Sequence, residues 1–327
     1  MKLAIGFILF EDSTLRYLAD FLPSLKQALG FLSPDDYRIY VVDNSRPSDE
    51  RNERLFQELE KTIFLSPATG WTSRYERPGE NLGFSRAYNL MIRRALLDGA
   101  EYFLIVNPDT KLASESIVCL LSALDSNERL GSVAPKILRW DYEKGCLTNI
   151  IDSLGIVLKR GLSFSDFGQG DPDQAGQNPE SILGPSGAAG LYRLSALIAV
   201  AENKEVAGHE QFFDENFFMY KEDCDLAYRL FLAGYPSALI PEAVIYHDRT
   251  AVASGRNLLA KLKDRRSKSR LIRKWSLRNQ LYIYRKHWAQ QDVSSKLVIV
   301  GRVLIYWFYA LILERYLLKE FFLKRYK

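Results

Sequence analysis

The sequence predicts an α/β protein with a mostly parallel sheet flanked by helices, and three observations predict it. Short apolar runs rich in Val, Ile and aromatic residues recur along the first three quarters of the chain. Segments with helical spacing lie between them, and glycines close those segments. Strands that alternate with helices argue a parallel sheet.

The first strand is expected over Leu3–Phe10. Its setting, "MKLAIGFILFEDS", superficially resembles a signal peptide. The apolar run is short, however, and Glu11 and Asp12 follow it with no small-residue cleavage pattern. "STLRYLADFLPSLKQALG" then reads as a helix ending at Gly30, before a strand at Tyr37–Val42. "GFSRAYNLMIRRALLDG" reads as a second helix, closed by Gly99. Further strands are expected at Tyr102–Val106, Ser132–Leu138 and Ala238–Tyr246. The Gly-, Asp-, Gln- and Pro-rich stretch from Asp166 to Pro185 reads as a long loop, a class that often carries function.

Three chemically capable residues stand at the ends of these elements. Asp109 follows the buried run "FLIV" within "NPDT". The carboxyl edge of an α/β sheet is where such sheets bind ligands, although Asn-Pro-Asp also makes turns well. His247 ends "ALIPEAVIYH" and equally fits a loop histidine bonded to backbone. Asp223 heads a helical stripe with Leu226, Ala227, Leu230 and Phe231, so it is expected to face the sheet. A helix-start residue satisfying backbone N–H groups would look the same. Asp225 and Arg229 fall on the other side, with the i,i+4 spacing of a solvated ion pair. Carboxylate and imidazole converging on one crevice would suit a divalent cation such as Mg or Mn.

Composition adds a division. The chain has 327 residues and a net charge of +4. From Arg256 to Lys327 there are 19 Lys and Arg against 4 Asp and Glu, a balance of +15, which leaves −11 for residues 1–255. The basic segment fits a solvated helical face or a surface for anionic lipid or nucleic acid. The apolar run Val303–Leu313 is short for a spanning helix, and Arg302 interrupts its extension. It fits an interfacial helix, with Tyr306, Trp307 and Tyr309 at the boundary, or a helix packed on the main domain or on another subunit of a homo-oligomer. No recognised nucleic-acid motif is present in it. Three cysteines without metal spacing, Cys119, Cys146 and Cys224, fit a reducing cytoplasm.

Six segments now carry a resemblance: "YRIYVVDNSRPSD", "ENLGFSRAYN", "FLIVNPDT", "GPSGAAGLYRLSAL", "FMYKEDCDLAYRL" and "IYHD". In this order they resemble the family 2 glycosyltransferases, most nearly the bacterial rhamnosyltransferase-like branch, over roughly Lys2 to Trp288. The resemblance implies a GT-A fold, Rossmann-like, and with the charge balance it sets the expected nucleotide-sugar-binding catalytic domain at 1–255 and a basic helical extension at 256–327. It implies an inverting, metal-dependent transfer of a sugar, with rhamnose one candidate, from a UDP- or dTDP-sugar. The acceptor would be a saccharide, lipid-linked in polysaccharide assembly, at the cytoplasmic face of the plasma membrane. Asp109 matches the last aspartate of the family's D-x-D motif and would hold the metal with His247. Asn107 replaces the first aspartate of that motif. Asp43 matches the carboxylate near the nucleoside, and Asn81 and Gly83 match the donor-binding loop. Arg86 and Tyr88 stand where the family often has small residues. Asp223 matches the base of the Glu-Asp motif.

A sugar nucleotidyltransferase would show a Gly-rich, basic loop after its first strand, and "FILFEDSTL" offers none. A non-catalytic binding relative is the other alternative, and turnover of a nucleotide sugar separates it from an enzyme.

Overall fold

The computed structural model describes residues 1–63, 73–174, 176, 178–203, 208–249 and 269–322. Parts of the basic tail, 256–268 and 323–327, lie outside the described residues. The strands are β1 (Leu3–Leu9), β2 (Tyr37–Asp43), β3 (Ser73–Glu76), β4 (Tyr102–Val106), β5 (Thr110–Leu112), β6 (Ser132–Asp141), β7 (Cys146–Ser153), β8 (Ile156–Lys159), β9 (Ser163–Asp166), β10 (Ala189–Arg193) and β11 (Ser237–His247). The helices are α1 (Glu11–Leu15), α2 (Leu18–Ala28), α3 (Arg51–Ile63), α4 (Gly83–Leu97), α5 (Ser116–Ser126), α6 (Leu194–Val200), α7 (Glu222–Leu232), α8 (Arg270–Lys286) and α9 (Val293–Leu313).

The five strands expected from sequence are β1, β2, β4, β6 and β11. They join one sheet in the order β3-β2-β1-β4-β10-β6-β11-β5, with β7 pairing β6. Pairings from β3 to β4 are parallel, as is β6 with β11. β10 runs antiparallel between β4 and β6, and β5 antiparallel to β11. The sheet is therefore mixed. The reversed strands β5 and β10 are three and five residues long, too short to show a period in sequence.

Both faces of the sheet are covered, which explains the unbroken apolar runs. Leu104 and Val106 of β4 pack with α2 and α5 residues such as Phe21 and Leu120. Phe103 and Ile105, pointing the other way, pack with α4 and α7 residues such as Met91 and Leu226. A third cluster joins the β8–β9 hairpin, the outer side of α7 and the C-terminal helices, through Phe164, Tyr228, Leu281 and Ile283.

That third cluster corrects the reading of α7. Leu226 and Leu230 are buried as expected, but Phe231, at the edge of the stripe in the last turn, is exposed. The expected solvated pair is buried: the Asp225 side chain is 0% exposed and that of Arg229 10%. The helix is covered on two sides, by the sheet and by α8, and α8 brings the counter-charges. Lys286 Nζ lies 2.9 Å and His287 Nε2 2.8 Å from the Asp225 carboxylate. Burial alone would raise the Asp225 pKa, but Arg229, His287 and Lys286 outweigh it and hold the carboxyl well below its ordinary value.

The last helix also departs from expectation. α9 runs for 21 residues, straight through Arg302, and is long and apolar enough by length and composition to cross a bilayer. Arg302 is accommodated because its guanidinium donates to the Gly161 carbonyl in the β8–β9 turn, at 2.8 Å.

Candidate active site

β5 and β11 are antiparallel neighbours with Thr110 opposite His247, and this register brings the preceding Asp109 to the imidazole. His247 Nε2 is 3.4 Å from Asp109 Oδ2, and the Asp248 amide donates to the Asp109 carbonyl at 2.9 Å. The other imidazole nitrogen, Nδ1, is 2.8 Å from Asp152 Oδ2 of β7. Burial would depress the His247 pKa, but Asp109 and then Asp152 prevail and raise it to about 10. A raised histidine stabilises the fold fully below its ordinary value of 6.5, and that contribution is lost as pH rises through about 10. Asp152 is lowered despite its burial, held down by His247 and Arg249. Arg249 Nη1 bonds Asp152 at 3.1 Å and Asp166 at 3.4 Å.

Asp223 opens α7 and is partly buried. Its Oδ2 accepts from the Gly187 amide at 3.0 Å and its Oδ1 from the Cys224 amide at 2.7 Å. The next residue of the same loop, Ala188, accepts from the Asn107 amide at 2.9 Å. The Ser186–Ala188 turn thus bridges the end of β4 and the start of α7, and it sets Asn107 and Asp223 on one rim. Asp166, raised by burial, also feels the Asp223 charge. Beside Asp223 lies Glu222, whose pKa burial and then Asp223 push well above the usual carboxylate range.

The residues expected on the nucleoside side gather at the end of β2. Asp43 is fully buried; its Oδ1 accepts from the Ser45 amide at 3.0 Å and its Oδ2 from the Tyr75 hydroxyl at 2.8 Å. A carboxylate keeps lone pairs beyond these two bonds. Asn44 binds the next loop, donating to the Gly83 carbonyl at 3.2 Å and accepting from the Leu82 amide at 3.2 Å. Asn81 Oδ1 caps the turn by accepting from the Gly83 amide at 2.9 Å. Gly83 has φ +71, and a Cβ there would meet the Phe218 carbonyl at 2.5 Å, so a side chain is excluded. Arg86 makes an exposed pair with Glu80, the residue before Asn81, and with Leu82 it lines a cavity of about 330 Å³. Tyr88, also flagged in sequence, is fully buried with its hydroxyl unpartnered.

Asp109, His247, Asn107 and Asp223 thus come together, with Asp43, Asn81 and Gly83 at the neighbouring strand end and Arg86 in an exposed pair beside that loop. Sequence reasoning missed Asp152, Asp166 and Arg249. Asp152 follows "NII" as Asp109 follows "FLIVNP", a carboxylate closing an apolar run. That signal was available to find it. Among the described residues no group of three or more His, Cys, Asp or Glu forms a metal cluster. The donor set nonetheless fits a cation shared with a diphosphate. Asp109 Oδ1 is buried without a partner, and Mg is commonly held by one or two protein groups plus phosphate oxygens.

No family model matches the chain. A curated relative, the N-acetylglucosaminyl-diphospho-decaprenol L-rhamnosyltransferase of Mycobacterium tuberculosis (strain CDC 1551 / Oshkosh), is 28% identical over 189 residues, 55% of this chain. The protein so described from strain ATCC 25618 / H37Rv matches to the same extent. The chain spans 59% of the length of these curated relatives. Among solved structures, S. aureus TarS 1-349 superposes with TM-score 0.50 at 15% identity, covering 76% of this chain and 60% of that one. The same protein in complex with UDP gives TM-score 0.50 at 13% identity, covering 88% and 72%. The fold is GT-A, and in sequence the chain is similar to rhamnosyltransferases, as its six motifs imply.

Proposed function

We propose that the protein is an inverting glycosyltransferase that moves a sugar, rhamnose being the first candidate, from a UDP- or dTDP-sugar to a hydroxyl of a lipid-linked saccharide. The observation that carries this reading is the shared rim: the Asp109–His247 pair on one side and Asp223 on the other, joined through the Ser186–Ala188 turn. The relatives support it, because the curated ones are named for rhamnosyl transfer to a lipid-linked sugar and the TarS fold is known with UDP.

Asp223 is the proposed general base. A sugar hydroxyl is a poor nucleophile and must lose its proton as it attacks; a positioned carboxylate that takes it contributes about 10²–10⁴-fold. The Gly187 and Cys224 amides fix its orientation. Asp43 would accept from a pyrimidine N3–H, with the Asn81–Gly83 loop beside it. Asp109 and His247 would hold a divalent cation, Mg or Mn, which when bound neutralises charge developing on the leaving diphosphate. Ligation through His247 Nε2 would have to displace the proton that Asp109 favours there in the free ring, leaving Nδ1–H donated to Asp152; such a carboxylate partner fixes ring and tautomer.

The tail supports a peripheral place on an anionic membrane at the cytoplasmic face. One side of α9 meets the protein through Ile299, Arg302 and Ala310. The other leaves Leu297, Leu304, Phe308 and Ile312 respectively 68%, 53%, 54% and 71% exposed. Crossing a bilayer would strip the inner face from its contacts, whereas lying in the interface keeps them. The division into a catalytic domain over 1–255 and a basic extension over 256–327 remains our reading of the charge balance.

The test is release of nucleoside diphosphate by the purified chain from UDP- and dTDP-sugars, with Mn or Mg and a GlcNAc-diphospho-lipid acceptor. Asp223→Asn is expected to abolish transfer and retain nucleotide binding. Asp109→Asn is expected to lose metal-dependent nucleotide binding by calorimetry, and His247→Ala to weaken it. A fully active Asp223→Asn protein overturns the assignment of the base.

A further inference from the structure

The residues just before Asp223 have an unusual conformation. Tyr220 and Lys221 are consecutive non-glycine residues with φ +73 and +76. Left-handed backbone at such residues costs on the order of 1–3 kcal/mol each and persists where the surroundings over-determine it. The surroundings here come from two distant parts of the chain. On one side the Phe84 amide donates to the Phe218 carbonyl at 2.9 Å, so the strap of residues 217–221 abuts the Asn81–Gly83 loop. On the other side stands α8. Its Asn279, 1% exposed, donates from its carboxamide to the Met219 carbonyl at 2.8 Å and to the Tyr220 carbonyl at 2.6 Å. The rings of Tyr282 and Trp275 pack on Phe217 and Phe218, with centroids 5.2 and 5.1 Å apart.

We propose that Asn279 is a positioning residue: by holding two successive carbonyls it keeps the strap left-handed and so places the Glu222–Asp223 start of α7 against the Gly187 amide. The tail is then part of the active-site scaffold. The inference rests on Asp223 being the base, and nothing in it requires the membrane surface of α9. Asn279 reaches both carbonyls from one side chain, a task that suits an asparagine because one NH₂ carries two donors. Loss of those donors leaves two carbonyls unmatched and the left-handed pair free to relax. The chemistry predicted to suffer is proton removal; the Asn81–Gly83 loop, although the strap abuts it, keeps its own bonds to Asn44 and Asn81, so nucleotide binding is expected to change much less.

The experiment uses the full chain as wild type, Asn279→Ala, Asn279→Ser and the double variant Asn279→Ala/Tyr220→Gly. Amide hydrogen exchange is followed over residues 219–225, beside kcat and donor KM with dTDP-rhamnose and a GlcNAc-diphospho-lipid. In Asn279→Ala, exchange in this segment should quicken and kcat should fall, each by about tenfold or more, with donor KM nearly unchanged. Asn279→Ser, whose hydroxyl can donate one bond, should lie between and supplies the comparison if the alanine variant does not fold. Glycine takes positive φ without steric cost, so Tyr220→Gly should restore much of the lost kcat and exchange protection. Unchanged exchange in both single variants, or no rescue by Tyr220→Gly, overturns the proposal. If the wild type shows no turnover while exchange responds as expected, the positioning role stands and the glycosyl-transfer reading falls.

Discussion

The two C-terminal helices α8 and α9 reverse what their compositions suggest. α8 is rich in Arg and Lys, yet Asn279, Gln280 and the adjoining His287 are buried, and its polar groups reach into the body built around the sheet. Gln280 donates to the Leu162 carbonyl, Tyr282 to Asp214, and Lys286 bridges Asp214 and Asp225. α9 is apolar along nearly its whole length, yet Ile299 and Ala310 are its buried residues. The difference teaches that a charged helix packs where the facing surface supplies matched acids and carbonyls, and an apolar helix stays uncovered where the protein offers no second layer. Burial follows partners as much as hydrophobicity.

The strongest way to break this comparison is to remove the acid that α8 docks against. Asp225→Ala should destabilise the chain by about 3–5 kcal/mol in urea unfolding, because Arg229, Lys286 and His287 would lose their common carboxylate. A small effect would mean that the α8 contact is not built on charge. The pH dependence has a definite sign. The Asp225 carboxyl is depressed in the folded chain, so its contribution is present above the ordinary carboxylate pKa of 3.8 and is lost as pH falls towards the folded value. Unfolding free energy measured on falling pH should therefore decline more gently in Asp225→Ala than in the wild type.

α9 should respond in the opposite manner. Leu304→Glu with Phe308→Glu places charges on the exposed stripe, so unfolding should change by only about 0.5 kcal/mol or less. Flotation with anionic vesicles should be lost, and the wild type should keep part of its binding at high salt because apolar insertion is not screened. Equal flotation of wild type and double variant would place the membrane contact elsewhere; flotation by neither would leave α9 as a packing surface.

The smallest effect sharpens the contrast. Glu50 and Arg54 have the same acid-to-arginine i,i+4 spacing as Asp225 and Arg229, at 2.6 Å, but their side chains are 51% and 78% exposed. Arg54→Ala should leave the urea midpoint unmoved within scatter, since exposed pairs contribute little. A shift as large as that of Asp225→Ala would show that spacing, and not burial, sets the effect.

Much of the architecture was legible because it is local. Unbroken runs such as "YFLIV" declare strands covered on both faces, and the stripe Asp223, Leu226, Ala227, Leu230 declares which side of α7 meets the sheet. Carboxylates and a histidine at element ends mark Asp109, Asp223 and His247 as candidates in the sequence alone. The short reversed strands β5 and β10 were not legible, although they create the Asp109–His247 register and the turn that holds Asp223. Nor was the fate of Asp225. A periodicity reports one apolar face and treats the opposite side as solvent, whereas the partners of Asp225 stand 61 and 62 residues later in the chain. The same holds for Asp152 and His247, 95 residues apart. Sequence by itself determined the elements and their inward faces, because side-chain direction follows from backbone geometry over a few residues. Which charge was buried, and against which distant group, only the tertiary structure decided, because the energy of an ion depends on where chain crossings place its counter-charges and whether they exclude water.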